Sequence, residues 1–164
     1  MATPDFIRDL RRSAGHQLLW LPGVSAVVID DRERVLLVRR ADSGAWTVVG
    51  GIPEPGEEPA LTAVREVYEE TAVEVEVERV VSVGPTDVVE YPNGDRCQYM
   101  DICFRCRPVG GTARVNDDES SEVGWFAPDA LPPLAGLQLD RIARARVADA
   151  ATWFGSPVSP RVSG

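Results

Sequence analysis

The stretch Gly51–Val73 reads GIPEPGEEPALTAVREVYEETAV. A glycine- and proline-punctuated turn runs into an amphipathic segment that ends in Arg65, Glu66, Glu69 and Glu70. Proline in the first turn and glutamates at the positive end favour a helix over residues 58–71. Glu66, Glu69 and Glu70 then stand at i, i+3 and i+4 and share one face. Three like charges near the negative end of a helix dipole repel one another and gain nothing from the helix. A divalent cation removes both objections, and oxygen-rich clusters of this kind suit Mg²⁺ or Mn²⁺, which also bind phosphates. On the same helix, Leu61, Val64 and Tyr68 fall at i, i+3 and i+7 and are expected to pack on a sheet.

On the N-terminal side, residues 5–14 read as a short helix stopped by Gly15. Residues 17–30 are apolar and β-branched, and Pro22-Gly23 is expected to break them into two extended pieces, the second running over 24–29. Residues 30–33 form a turn and 34–39 the returning strand of a hairpin. After a polar loop, Trp46–Val49 is a short strand leading to Gly50-Gly51. On the C-terminal side, residues 73–83 alternate as a strand with one wet face. Tyr91-Pro92-Asn93-Gly94-Asp95 is a turn, and Cys97–Arg107 is a long strand. Residues 116–121 form an acidic loop and 123–126 a short strand. Residues 128–133 are a helical turn, 137–154 a helix, and 155–164 a frayed tail. Strands mixed with helices in this order predict an α/β fold, a mixed β-sheet between helices. The expected organisation is a helical extension over 1–16 and a single domain over 17–154.

The chain has 164 residues, 44% hydrophobic and 26% charged, as for an ordinary globular protein. Its net charge of −9 disfavours stable nucleic-acid binding, but a bound metal would invert the local field for a small phosphorylated substrate. Cys97, Cys103 and Cys106 lack the second pair of a zinc site, and Cys103 and Cys106 sit in a strand-like run; reduced, buried thiols are expected. The first residues carry no signal-type apolar run, and no segment is long enough to span a bilayer, so a cytoplasmic protein without membrane partners is expected.

The spacing of Gly51, Glu57, Arg65, Glu66, Val67, Glu69, Glu70 and Val73 resembles the Nudix box, in which a glycine, a glutamate, an Arg-Glu pair and a Glu-Glu pair recur at fixed intervals. Trp46, Gly50-Gly51 and Pro55-Gly56-Glu57 resemble the family's approach to the box, and the likeness extends more weakly from about Val24 to about Pro133. Two positions depart from the pattern. Ala72 stands where the box has its second glycine, a helix-ending position that favours φ > 0. Val49 stands where a proline usually precedes the paired glycines. Neither removes a charged group.

The resemblance implies a Nudix-type α/β/α sandwich and a Mg²⁺-dependent hydrolase (Mn²⁺ as the alternative ion). Its reaction would split the pyrophosphate of a nucleoside diphosphate linked to a group X. ADP-ribose or a sugar nucleotide is favoured over a (d)NTP, and the N-terminal helix could support a homodimer. A second class is a catalytically silent nucleotide-binding module on the same fold; retention of every box glutamate argues against it. The resemblance also implies the site. Glu66, Glu69, Glu70 and the Gly50 carbonyl would hold the metal, with Glu57 behind them or acting through water. Arg65, four residues before Glu69, would hold the carboxylates in place. Glu66, Glu70, Arg65 and Glu119 make up the catalytic set, with Glu119 of the acidic loop preferred as base or extra ligand and Glu122 as its rival.

Substrate contacts are assigned to Arg39 (or Arg40), Trp46 and Tyr91. Trp46 could equally be core, Tyr99 is read as core, and Tyr91 lies either at the pocket or in a plain hairpin turn. His16 is read as structural.

Overall fold

A computed structural model of the chain describes residues 4–155. The tail expected beyond Gly155 lies outside the described residues. In chain order the elements are α1 (Asp5–Ala14), β1 (Leu19–Val28), β2 (Val35–Arg40), β3 (Trp46–Thr47), β4 (Val49–Gly51), α2 (Pro59–Thr71), β5 (Val73–Pro85), β6 (Val89–Glu90), β7 (Arg96–Gly111), β8 (Ser120–Phe126) and α3 (Gly136–Arg146).

The strands form two sheets. The larger has the order β4-β1-β7-β5, with β6 paired to β7; the smaller is β3-β2-β8. β1 and β7 run parallel and every other pairing is antiparallel, so the larger sheet is mixed as the sequence implies. One core, of Val24, Ala26, Val28, Leu36, Val38, Ala63 and Val67 among others, lies beneath α2. A second, of Val27, Ile29, Leu37, Val81, Cys103, Ile142 and Ala145, lies beneath α3. Alternation along β1 explains the split: its even-numbered residues face α2 and its odd ones α3. Two helices thus sandwich the sheet.

Three expectations need correction. β1 runs unbroken through Pro22-Gly23. β4 pairs only with residues 24–26 of β1, so Pro22 has a strand partner on one side alone and its missing N–H leaves no ladder bond unmade. Gly23 is needed for space, since a Cβ there would sit 3.0 Å from Cβ of Tyr99. The last helix ends at Arg146 rather than Phe154. Arg79 donates to the carbonyls of Arg144 (2.9 Å) and Val147 (2.8 Å), and Arg105 to that of Ala145 (2.7 Å). These side chains satisfy the final carbonyls in place of another helical turn. Finally, the face of α2 that packs on the sheet is only partly the one expected: Val64 packs against the core beneath it. Ala63 and Val67 are buried, whereas Leu61 and Tyr68 are 59% and 49% exposed.

Cys103 and Cys106 are both buried and free, one in each core. An i, i+3 pair on a strand points to opposite faces, so the two thiols cannot meet. Burial pushes both thiols up to about 12, which keeps them protonated and inert at neutral pH.

Candidate active site

The front of α2 is a completed polar cluster. Glu57 accepts from Arg65 Nε (2.8 Å) on one carboxylate oxygen. Its other oxygen accepts from Arg65 Nη2 (2.9 Å), the Thr62 hydroxyl (2.8 Å) and the Glu54 amide (3.0 Å). Arg65 above all, aided by the backbone and Thr62, holds the Glu57 carboxyl down at about 2. Glu57, placed by the sequence reading behind the metal, is thus the residue that fixes Arg65. From that anchor Arg65 Nη1 reaches Glu66 (2.8 Å) and Glu69 (3.2 Å).

One turn further on, the balance reverses. Glu66 is 1% exposed and Glu70 7%. Burial pushes the Glu66 carboxyl up to about 7; Arg65 partly offsets this and Glu69 adds to it. Burial also raises Glu70 to about 7, reinforced by Asp117 and Glu66, and Ser120 Oγ at 3.3 Å is a weak counterweight. Glu69 is half exposed and turned to Arg65. Among the described residues, no three His, Cys, Asp or Glu side chains are drawn together closely enough to hold a metal ion. Like charges repel, and Arg65 draws Glu69 aside, so the three glutamates share a helix end without converging.

The acidic loop is brought to this helix by main-chain bonds. Arg114 N–H donates to the Thr71 carbonyl (3.0 Å), Asn116 N–H to that of Glu70 (3.2 Å) and Asn116 Nδ2 to that of Tyr68 (3.0 Å). These donors cap the orphan carbonyls at the end of α2. Asp117 Oδ1 then accepts the amides of Glu119 (3.1 Å) and Ser120 (3.3 Å) and shapes the turn. Glu119 is half-buried there, its carbonyl accepting from Ala41 N–H (2.7 Å). The result is a cavity of about 520 Å³ whose walls include Glu54, Glu69, Asp117, Asp118 and Glu119, with Arg65 as the cation among its lining residues. Asn116 looked like plain loop in the sequence; its capping role depends on a contact with a helix 48 residues away.

α2 ends as the box departure implied. Ala72 takes the left-handed conformation, φ 56° and ψ 20°, and its N–H donates to the Tyr68 carbonyl. Gly50, the expected backbone ligand, is exposed on β4 opposite Ser25.

The expected substrate contacts lie elsewhere. Arg39 pairs with Glu122 across β2 and β8 (2.5 Å) and donates to the Gly44 carbonyl (2.9 Å). That bond holds both Arg39 and Glu122, the rival base, in a surface ion pair. Arg40 is taken by Asp42. Trp46 packs edge-on against Phe126 at 4.9 Å between centroids, in the core beneath α3. Tyr91 closes a hairpin turn with Asp95 and bonds the Tyr99 hydroxyl (2.8 Å). His16 meets Asp95 at 3.0 Å on that same turn, a structural contact.

A family model described as "NUDIX domain" matches residues 19–147. A "MutT-like protein" of Streptomyces ambofaciens is 40% identical over 108 residues, covering 66% of this chain; the chain spans 64% of that protein. A "Putative 8-oxo-dGTP diphosphatase" of Bacillus subtilis is 28% identical over 114 residues, 70% of this chain and 71% of its own. Among solved structures, an ADP-ribose pyrophosphatase from Streptococcus suis is 26% identical with a TM-score of 0.61, covering 81% of this chain and 97% of its own.

Proposed function

The chain belongs to the Nudix family, and from that premise we propose that it is a divalent-cation-dependent pyrophosphohydrolase acting on nucleotides, with nucleoside diphosphates linked to a group X as substrates. The observation that carries this reading is the contrast within α2: Arg65 is anchored by Glu57, whereas Glu66 and Glu70 are buried with their carboxyls raised to about 7. The cavity beside them is walled by Glu54, Glu69, Asp117, Asp118 and Glu119 against the cation Arg65, and such a site would repel a polyphosphate unless a cation accompanies it. The donor set is all oxygen, which suits Mg²⁺ or Mn²⁺.

Glu66, Glu70, the half-exposed Glu69 and the Gly50 carbonyl would hold the cation, with Glu57 acting behind them through Arg65. A divalent ion bound there supplies charge neutralisation on phosphoryl oxygens and a water more easily deprotonated than bulk water. Arg65 positions Glu66 and Glu69 through its two bonds. Glu119 is the base in this reading: it lines the cavity, and its neighbour Ser120 touches Glu70. The exposed pairing of Glu122 with Arg39 argues against the rival. The N-terminal helix over 1–16 and a single domain over 17–154 complete the proposed organisation.

The S. suis structure favours the ADP-ribose-like class. The B. subtilis relative keeps a (d)NTP as the second reading. A panel of nucleotides with Mg²⁺ tests both. Release of nucleoside monophosphate is expected for an X-linked diphosphate, falling by about 10²–10³-fold in Glu70→Gln. Full turnover in Glu70→Gln would overturn the cation assignment, and nucleotide binding without any turnover would favour a silent module.

A further inference from the structure

The candidate cavity has a wall that neither the box nor the acidic loop provides. Pro4, just ahead of α1, lines it together with Tyr68 of α2. These are the two ring-bearing residues among lining residues that are otherwise charged or amide-bearing. Tyr68 is half exposed although α2 packs its neighbours Val67 and Thr71 inward. An aromatic ring left open on the cavity side of a catalytic helix offers a π-face to a ligand.

Pro4 is held where it is. Its φ is −53° and its carbonyl accepts the Ile7 and Arg8 amides (3.0 and 3.2 Å), so the ring is fixed to the start of α1. α1 is in turn fixed to the domain. Ile7 is buried with Leu21 and Cys97, and Ile52, which follows the paired glycines, packs against the same cluster. Arg11 donates to the carbonyls of Gly15 (2.9 Å), Gln17 (2.6 Å) and Arg96 (2.7 Å), bolting the end of the helix to β7. The start of the extension is therefore tied to the domain beside the cavity through Ile7 and Arg11.

We propose that Pro4 and Tyr68 form an apolar grip for the nucleobase of the substrate, so that the N-terminal helix is a specificity element of the active site. The charged lining is acidic apart from Arg65 and suits phosphates only when a cation accompanies them, whereas a flat base gains most from the two ring surfaces. This assignment rests on the nucleotide chemistry proposed above, which fixes what kind of ring is present.

The test uses the full chain with Pro4→Ser, which restores a good helix-capping residue while removing the ring, and Tyr68→Ala, which places a strong helix former at an exposed position. Leu10→Ala, exposed on α1 away from the cavity, is the control. Binding of ADP and of inorganic pyrophosphate is measured by calorimetry with Ca²⁺ present. ADP affinity is expected to fall about tenfold in each variant, from the usual worth of base stacking, while pyrophosphate affinity and melting temperature stay within error of the parent. KM for a nucleotide substrate should rise by the same factor with kcat little changed. Unchanged ADP affinity in both variants, parallel weakening of ADP and pyrophosphate, or a parent that binds the two equally would each overturn the grip. If the parent turns over no nucleotide, the hydrolase reading fails, and the comparison of ADP with pyrophosphate still decides this one.

Discussion

Two buried polar clusters sit on opposite faces of the same sheet, and they are balanced in opposite ways. Beneath α3, Asp101 is 7% exposed and Arg141 6%. Arg141 Nη2 meets one oxygen of Asp101 at 2.7 Å, and the Ser25 hydroxyl donates to the other at 2.7 Å. Gln138 accepts from the remaining arm of Arg141 at 3.2 Å. Charge is cancelled and both carboxylate oxygens have partners. Beneath the end of α2, Glu66 and Glu70 are buried as deeply, yet Arg65 touches only Glu66 and is shared with Glu57 and Glu69. Burial of charge is costly unless it is paired. The first cluster is complete within the chain, whereas the second holds two buried carboxylates against one shared arginine, the imbalance that the proposed cation would relieve.

The largest expected effect breaks the completed side. Arg141→Met keeps most of the side-chain volume but leaves Asp101 buried with the Ser25 hydroxyl as its remaining donor. Removing one partner of such a pair costs about 3–5 kcal/mol, and urea denaturation should show it as a lower midpoint with an unchanged slope. The Arg141→Met/Asp101→Leu double variant should recover much of that loss, because it removes the stranded charge. A single Arg141→Met variant as stable as the parent would show that the α3 cluster is not the self-sufficient one.

That pair was not legible in the sequence. Arg141 and Asp101 lie 40 positions apart, on α3 and β7, and nothing in either neighbourhood marks a buried charge. The box was legible because its chemistry is local: Glu57, Arg65, Glu66, Glu69 and Glu70 fall within fourteen consecutive positions, and helical spacing alone brings four of them together. Tyr68 misled because an i, i+3, i+7 count finds a stripe without saying which stripe meets the sheet. Glu66 and Glu70 take the inward side with Ala63 and Val67, which turns Leu61 and Tyr68 out. For Trp46 and Tyr91 the sequence left core or hairpin turn open beside a substrate contact and could not choose, since their partners Phe126 and Tyr99 come from β8 and β7. The site was readable where sequence distance and spatial distance agree, and unreadable where strand pairing sets the contact.

A smaller effect sharpens the unfinished side. Glu66 and Glu70 have folded-state pKa values of about 7, above their ordinary 4.5. Below pH 4.5 both the folded and unfolded chains hold these protons, and no penalty applies. Between about 4.5 and 7 the unfolded chain releases them while the folded chain retains them, so stability falls as pH rises and the penalty is complete above 7. Metal-free protein should therefore lose stability steadily between pH 5 and pH 8, and millimolar Mg²⁺ should flatten the curve by binding the ionised pair. Glu57, held down at about 2, contributes with the opposite sign in a separate window, its stabilisation being lost as pH falls from 4.5 through 2. Glu70→Gln should halve the alkaline loss in the metal-free protein. An identical pH profile in that variant would show that the second cluster is neutralised within the chain after all.

The smallest effect concerns how the box helix hands its charges to the sheet. Ala72 sits at φ 56°, where an L-residue with a Cβ costs about 1–2 kcal/mol, and glycine there would remove that cost. Glycine also gives the unfolded chain more freedom, a loss of about 0.4–1 kcal/mol, and Ala72 is 2% exposed, so its methyl contributes burial that glycine forfeits. The opposing sums nearly cancel, and Ala72→Gly should change stability by no more than about 0.5 kcal/mol in either direction. The neighbouring strand gives the scale for a change that does matter: a Cβ on Gly111 would lie 2.1 Å from the Ala72 carbonyl oxygen, a clash with main chain that no rotamer relieves. Ala72 is therefore tolerated because its strain is small and local, whereas the position facing it must stay glycine. A melting temperature for Ala72→Gly several degrees above the parent would mean that strain at this helix end is greater than its dihedrals imply. In that event the tension would belong to the end of α2 as much as to its glutamates.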